Sequence, residues 1–379
     1  MKVLTIFIFL TGLIGGGAQA QNSKGQVEPD SYWSDFSKGF EWFKTSKSLA
    51  ATDAPSLLDI ADDSLNSTMK SQVDQAFDPD VHRILILAHK RKIIHRKYNQ
   101  RWVNEKSRPT SASMTKSLTG LAVGKALCTG AIKSLDDEAG IYSPRLNGTS
   151  WGNAKVRHIL AMSSGSNKPT NSGTGSPTRE IHQETTQKSY EGRITVEFME
   201  LMRSADEKFS SSGQQPFYNN FDTQALAILI EDATGIKFID FFEREIWKPA
   251  GGKEHAKWFA NTHGQVTAFT GFTSHPYDWI RLANYVLEER AKNSCFGNYL
   301  KEASRRQSTI RLPNAEATGY GYQTWINCAG TDAFCFVGHG GQRVVMSPST
   351  WAIMYMHSTT LVGSQTLLPV YKEFVKRYQ

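Results

Sequence analysis

Four cysteines in 379 residues, none at metal-type spacing, and ten histidines scattered without a His-Glu-x-x-His run leave little from which to build a metal centre. After the first twenty residues no stretch is apolar enough to cross a bilayer, so no membrane insertion of the mature chain is expected. No segment repeats. Lysine and arginine (43) exceed aspartate and glutamate (36), but the formal charge of +7 is spread along the chain. The densest basic stretch, His89-Lys90-Arg91-Lys92 with His95-Arg96-Lys97, interleaves with Ile84-Leu85-Ile86-Leu87 and Ile93-Ile94. That pattern is a solvated hairpin face, and with no nucleic-acid module beside it no nucleic-acid partner is expected.

Met1 to Ala20 is present for a different reason. One basic residue, Lys2, precedes an apolar run from Val3 to Ile14, and Ala18-Gln19-Ala20 fits a small-x-small cleavage site. This reads as a secretory signal, with an uncleaved anchor as the alternative, and implies an exported protein, periplasmic or secreted. In an oxidising compartment Cys328 and Cys335 could bridge a hairpin, whereas Cys128, on an apolar helix, reads as a small buried hydrophobe.

Along the chain, Trp33, Phe36, Phe40 and Phe43 have helical spacing. Ile84 to Ala88 and Lys92 to Tyr98 read as a hairpin. An apolar helix runs from Ser113 to near Gly130, another from Phe221 to Ala233 with Gly235 as cap, more helix through Phe238 to Trp247, and a further helix over Tyr277 to Glu289. Gly319 to Trp325, Phe334 to Val337, Gly341 to Met346 and Trp351 to His357 read as strands, and Leu367 to Tyr378 as a closing helix. Ser166 to Arg193, rich in Ser, Thr, Gly and Asn, reads as a long loop. With strands at both ends and helices between, the expected fold class is α/β (α+β). An antiparallel sheet from residues 21–120 and 264–379, flanked by terminal helices, would carry an inserted helical region at 121–263.

Chemistry is suggested by three short motifs. Ser113-Met114-Thr115-Lys116 is a Ser-x-x-Lys at a helix start, which puts Lys116 on the face of Ser113. A serine needs such a base, and oxyanion donors, to act as a nucleophile. Alone, the motif reads equally as an N-cap serine followed by a solvated lysine. Tyr218-Asn219-Asn220 precedes a buried helix and would alone be an aromatic staple and cap. Gly338-His339-Gly340-Gly341 would alone be a turn.

Together and in this order the three motifs resemble the active-site elements of the serine β-lactamase and penicillin-binding-protein superfamily, in its class C-like branch. Met162-Ser163-Ser164-Gly165 and Tyr320-Gly321-Tyr322-Gln323-Thr324-Trp325 add to the likeness, which runs from about Ile84 to His357. It is similar above all to the 6-aminohexanoate-dimer hydrolases and β-lactamase-like carboxylesterases. The resemblance implies a serine hydrolase for a small ester or amide, working through an acyl-enzyme on Ser113 without metal or organic cofactor. It implies Lys116 as base and Tyr218 as proton shuttle, its pKa lowered beside Lys116 and His339. Asn220 would orient Lys116 and substrate, Gly340 and Gly341 would admit the substrate, and the backbone N–H groups of Ser113 and Gln342 would form the oxyanion hole. Where a true β-lactamase usually has Lys and Thr, this chain has His339 and Gly340, which points away from substrates that need a carboxylate grip. A D-alanyl-D-alanine carboxypeptidase, a β-lactamase, or a non-catalytic cell-wall or partner-binding protein are the alternatives. Specificity is expected from Ser166 to Arg193, Gly213 to Phe217 and the surroundings of Trp325.

Overall fold

The computed structural model describes residues 46–53, 58–60, 64–166, 197–312, 316–359, 363 and 365–379. The expected signal segment, the helix around Trp33 to Phe43, and all of the long loop except Ser166 lie outside the described residues.

The strands are β1 (Ser46–Leu49), β2 (Asp59–Ile60), β3 (His82–His89), β4 (Lys92–Tyr98), β5 (Ala256–Phe259), β6 (Phe272–Thr273), β7 (Gly319–Tyr320), β8 (Trp325–Cys328), β9 (Ala333–Val337), β10 (Arg343–Met346) and β11 (Ala352–Ser358). Eight of them form one sheet in the order β2-β4-β3-β11-β10-β9-β8-β7. Every pairing in it is antiparallel except β2 with β4. The first hairpin thus joins the C-terminal strands through β3 and β11, where Ile86 faces Tyr355. Because strand side chains alternate faces, Ile84, Ile86 and Ala88 enter one core and Leu85 and Leu87 the other. Both faces are covered, which is why these strands read as nearly continuous apolar runs.

The helices are α1 (Ser67–Ala76), α2 (Met114–Cys128), α3 (Val156–Leu160), α4 (Phe198–Ser204), α5 (Asn220–Thr234), α6 (Phe238–Phe242), α7 (Pro276–Ala291), α8 (Cys295–Ala303) and α9 (Leu368–Lys376). Val73 of α1 and Tyr371 and Phe374 of α9 fill the second core, against Leu85, Leu87 and Met354. On the other face lie α2 and α7, and α2 in turn packs against α5. Almost every position of α2 from Met114 to Ala126 is buried, so this helix has no solvated face. Gly124 permits the approach of α8, since a Cβ there would stand 2.3 Å from the Tyr299 ring.

Three features differ from the sequence expectation, while the hairpin bridge between Cys328 and Cys335 agrees with it. Cys128 is not a free hydrophobe: it forms a disulfide with Cys295, 167 residues on, tying the end of α2 to the start of α8. Nothing local in the sequence marks that pairing. Cys328 and Cys335 are bridged across β8 and β9. The run Gly319 to Trp325 is split into β7 and β8, because Gln323 has a left-handed backbone (φ 54°) and a buried side chain that accepts from Thr223 at 2.7 Å and donates to the Leu160 carbonyl at 3.1 Å. Finally, β1, β5 and β6 make a second, three-stranded sheet, with β5 inside the stretch expected to be helical. Its edge strand β6 braces the site, because Ser111 N–H donates to the Phe272 carbonyl at 2.9 Å.

Candidate active site

Ser113 stands immediately before α2 and does not cap it: its side chain makes no capping bond. The preceding residue, Ala112, has φ 45°, a left-handed conformation unfavourable for an L-residue. Thr115 donates from Oγ1 to the Ala112 carbonyl at 2.7 Å and shares a hydrogen bond with Ser111 Oγ at 2.8 Å, so the turn is held from within. Ser113 itself keeps some exposure.

One turn into α2, Lys116 is 1 % exposed. Its Nζ lies 3.0 Å from Ser113 Oγ and donates to the Phe269 carbonyl at 3.2 Å. Among the described residues no carboxylate supports its charge, and burial lowers its pKa to about 7. Lys116 is therefore neutral about half the time at neutral pH, and a neutral amine beside a hydroxyl can take its proton.

Tyr218 closes the other side. Its hydroxyl is hydrogen-bonded to Ser113, and Lys116 Nζ lies 4.8 Å from the centre of its ring. The ring stacks on Trp325 at 5.6 Å and meets Tyr320 edge-on at 6.0 Å. Tyr218 was expected to have a lowered pKa between two cations. The structure shows the opposite: desolvation pushes its phenol up, and the Ser113 hydrogen bond and Arg343 counter this only in part. The presumed cations are also weak, since burial lowers the pKa of both Lys116 and His339.

The second motif is fixed from behind. Phe217 N–H donates to the Met162 carbonyl at 2.7 Å, and the Asn219 side chain caps α5 by accepting from Phe221 N–H at 2.9 Å. Asn220 is the first residue of α5 and is partly exposed. The hydrogen bonds that hold Lys116 come from Ser113 and Phe269, not from Asn220.

The third motif, Gly338 to Gln342, joins β9 to β10. A Cβ on Gly338 would stand 2.6 Å from the Ser111 carbonyl, so glycine lets this turn abut the residues before Ser113. Gly340 is buried, and Gly341 takes φ 86°. Gln342 is buried and returns its carbonyl to Gly338 N–H at 2.8 Å. Among the described residues, neither Ser113 N–H nor Gln342 N–H donates to a backbone carbonyl. The fold thus brings the first and third motifs into contact and sets the Tyr218 hydroxyl on Ser113.

Two supporting residues escaped the sequence reading. Asp222, buried in α5, accepts from Trp151 Nε1 at 2.9 Å, Ser164 Oγ at 2.6 Å and Asn219 Nδ2 at 3.2 Å, which joins three loops behind Tyr218. Burial raises its pKa to about 7 despite these donors. Arg343, fully buried, pairs with Glu316. The signal for Asp222 was an acid three residues past a helix cap, which is also an ordinary place for one. Among the described residues no group of three or more His, Cys, Asp or Glu could hold a metal ion, and no helix is long and apolar enough to cross a membrane.

The same architecture is found in solved structures. A Bacillus anthracis protein assigned as a 6-aminohexanoate-dimer hydrolase is 18 % identical, with a TM-score of 0.72 over 92 % of this chain and 94 % of that one. EstCE1, a hydrolase with promiscuous acyltransferase activity, is 12 % identical with a TM-score of 0.61, over 81 % of this chain and 97 % of its own. A class C beta-lactamase mutant is 14 % identical with a TM-score of 0.57, over 82 % and 98 %. At such identities the likeness is one of fold. No curated protein sequence matches the chain. The family model described as Beta-lactamase matches residues 73–368, most of the chain and all three motifs, and on that match the protein belongs to the Beta-lactamase family of hydrolases.

Proposed function

We propose that this protein is an exported serine hydrolase that cleaves esters or small amides through an acyl-enzyme on Ser113. The observation that carries the reading is Ser113 Oγ held between Lys116 Nζ, at 3.0 Å and with a pKa near 7, and the Tyr218 hydroxyl. Neutral Lys116 takes the Ser113 proton as Oγ attacks the acyl carbonyl. The resulting oxyanion faces the N–H groups of Ser113 and Gln342. As the tetrahedral adduct collapses, the leaving alkoxide or amine takes a proton from Tyr218, which is refilled from the Lys116 ammonium. Water then attacks the acyl-enzyme by the reverse relay. A phenol with a raised pKa suits this role better than that of a standing base, because it stays protonated until the leaving group needs it.

Substrate charge follows from the surroundings. Burial lowers the pKa of both Lys116 and His339, and Arg343 is paired with Glu316, so these groups offer a substrate carboxylate only a weak positive field. A neutral acyl group fits this environment, and small-molecule esters and amides are the natural class. Asn220, His339, Gly340 and Gly341 line the approach in this reading. Export is supported by the two disulfides, which belong to oxidising compartments. Penicillin recognition is the second reading, favoured by the class C beta-lactamase likeness.

The test is a panel of nitrophenyl esters, a coloured cephalosporin and short linear amides, run on the wild type and Ser113→Ala. Ester turnover and fluorophosphonate labelling should both vanish in Ser113→Ala. Near-normal turnover by that variant would refute the mechanism, and turnover of the cephalosporin alone would favour the second reading.

A further inference from the structure

Arg343 is the first residue of β10 and follows Gln342 directly. Its side chain is 0 % exposed. The guanidinium makes contacts in two directions. Nε donates to Glu316 Oε1, while Nη1 donates to the Gly338 carbonyl and to the Gln342 carbonyl, each at 2.7 Å. Those two carbonyls bracket the third motif.

Each is also held a second time, the Gly338 oxygen by Gly341 N–H at 3.1 Å and the Gln342 oxygen by Gly338 N–H at 2.8 Å. Inside the turn, Gln342 Oε1 accepts from Gly340 N–H at 3.1 Å. The peptide between Gln342 and Arg343 therefore has little freedom to rotate, and through the Gln342 Cα this restrains the neighbouring peptide that carries the Gln342 N–H, whose Gly341 carbonyl also accepts from Ser358 Oγ at 3.4 Å. The close contact of Gly338 with Ser111 fixes the turn against the nucleophile's loop. Glu316 is itself anchored, with its carbonyl accepting from Ala329 N–H at 3.0 Å and its Oε2 from Gln365 Nε2 at 3.4 Å.

We propose that Arg343 is a positioning residue for the oxyanion hole: by tying the Gly338 and Gln342 carbonyls together it aims the Gln342 N–H at the oxygen that becomes charged. The proposal rests on the reading of Ser113 as nucleophile and Gln342 as oxyanion donor. A planar guanidinium spreads its donors over separate nitrogens, so it reaches a carboxylate on one side and two carbonyls on the other, whereas lysine gathers its three donors on one nitrogen. The pairing with Glu316 gives the buried group a counter-charge and fixes its orientation.

The experiment compares wild type, Ser113→Ala, Arg343→Lys and the double variant Arg343→Met/Glu316→Leu, all as the full chain. The double variant leaves no unpaired buried charge and can fold where a single loss would not. Readouts are kcat and KM on a nitrophenyl ester, inhibition by an aryl boronic acid, and thermal melting. The boronic acid forms a tetrahedral adduct with a serine and sets a boron-bound oxygen where the oxyanion develops. In a folded variant, kcat/KM and boronate affinity should fall together by about 10- to 100-fold, with KM within about threefold of wild type. Wild-type boronate affinity and kcat/KM in either folded variant would overturn the proposal. So would failure of both variants to fold, which would assign Arg343 to stability instead. Ser113→Ala separates the two readings: if it remains active, the nucleophile reading has failed whatever the Arg343 variants do.

Discussion

Two buried cations act on Tyr218 and have opposite fates. Among the described residues Lys116 has no carboxylate beside it, only the Ser113 hydroxyl and the Phe269 carbonyl, and desolvation lowers its pKa to about 7. Arg343 is equally buried but paired with Glu316, and it holds backbone. A cation buried alone becomes a base near neutral pH, whereas a paired one becomes a fixed strut. Proximity to the nucleophile does not decide which role a cation takes. The counter-charge does, together with the higher intrinsic basicity of a guanidinium over an ammonium.

The strongest way to break the comparison is Lys116→Met. If the lone cation is the base, kcat/KM should drop by about 10²- to 10⁴-fold, and the wild-type acid limb should have its midpoint near pH 7, activity rising as the lysine loses its proton. Stability should move the other way. The folded protein binds this proton with a pKa of about 7 and the unfolded chain near 10.5, so the lysine's cost is fully present below pH 7 and is relieved as pH rises toward 10.5. Lys116→Met should therefore melt higher than wild type at pH 6 and lose part of that advantage by pH 9. A variant that melts lower at pH 6 would remove the idea of an uncompensated charge.

Tyr218→Phe keeps the ring on Trp325 and removes the hydroxyl between Ser113 and the leaving group. It should cost about a hundredfold in turnover, and more for amides than for activated esters, because a nitrophenolate leaves without a proton. Equal losses on both substrates would argue against the relay. The smallest effect sharpens the rule on a group of opposite sign. Among the described residues Asp222 is buried without a cation, and its pKa is raised to about 7 from 3.8. The folded state then holds a proton that the unfolded chain releases, so this group's contribution to stability declines between about pH 4 and 7. Asp222→Asn should flatten the melting curve over that interval, and an unchanged slope would mean that the carboxylate is better supported than its neighbours suggest.

Much of this was legible in the chain. The continuous apolar run Ile84 to Leu87 and the apolar stretch after Ser113 marked a hairpin and a buried helix where the structure has them. The three motifs were visible because each is a short cluster in which the needed residue types are adjacent. What stayed hidden was long-range. The Cys128–Cys295 disulfide spans 167 residues, and β1 pairs with β5 from the far side of the helical region. Arg343 looked like one more polar strand residue, and its partner Glu316 lies at 27 residues' distance with no motif around it.

Sequence alone determined which groups could do chemistry here: a serine and a lysine three residues apart at a helix start, a tyrosine before a second buried helix, and a glycine turn between strands. Only the tertiary structure decided their protonation states. It left Lys116 without a counter-charge, pushed the Tyr218 phenol up where a fall had been expected, and gave Arg343 its carboxylate. A pKa is set by desolvation and by charges within a few ångströms, and both are made by chain segments that the sequence keeps far apart.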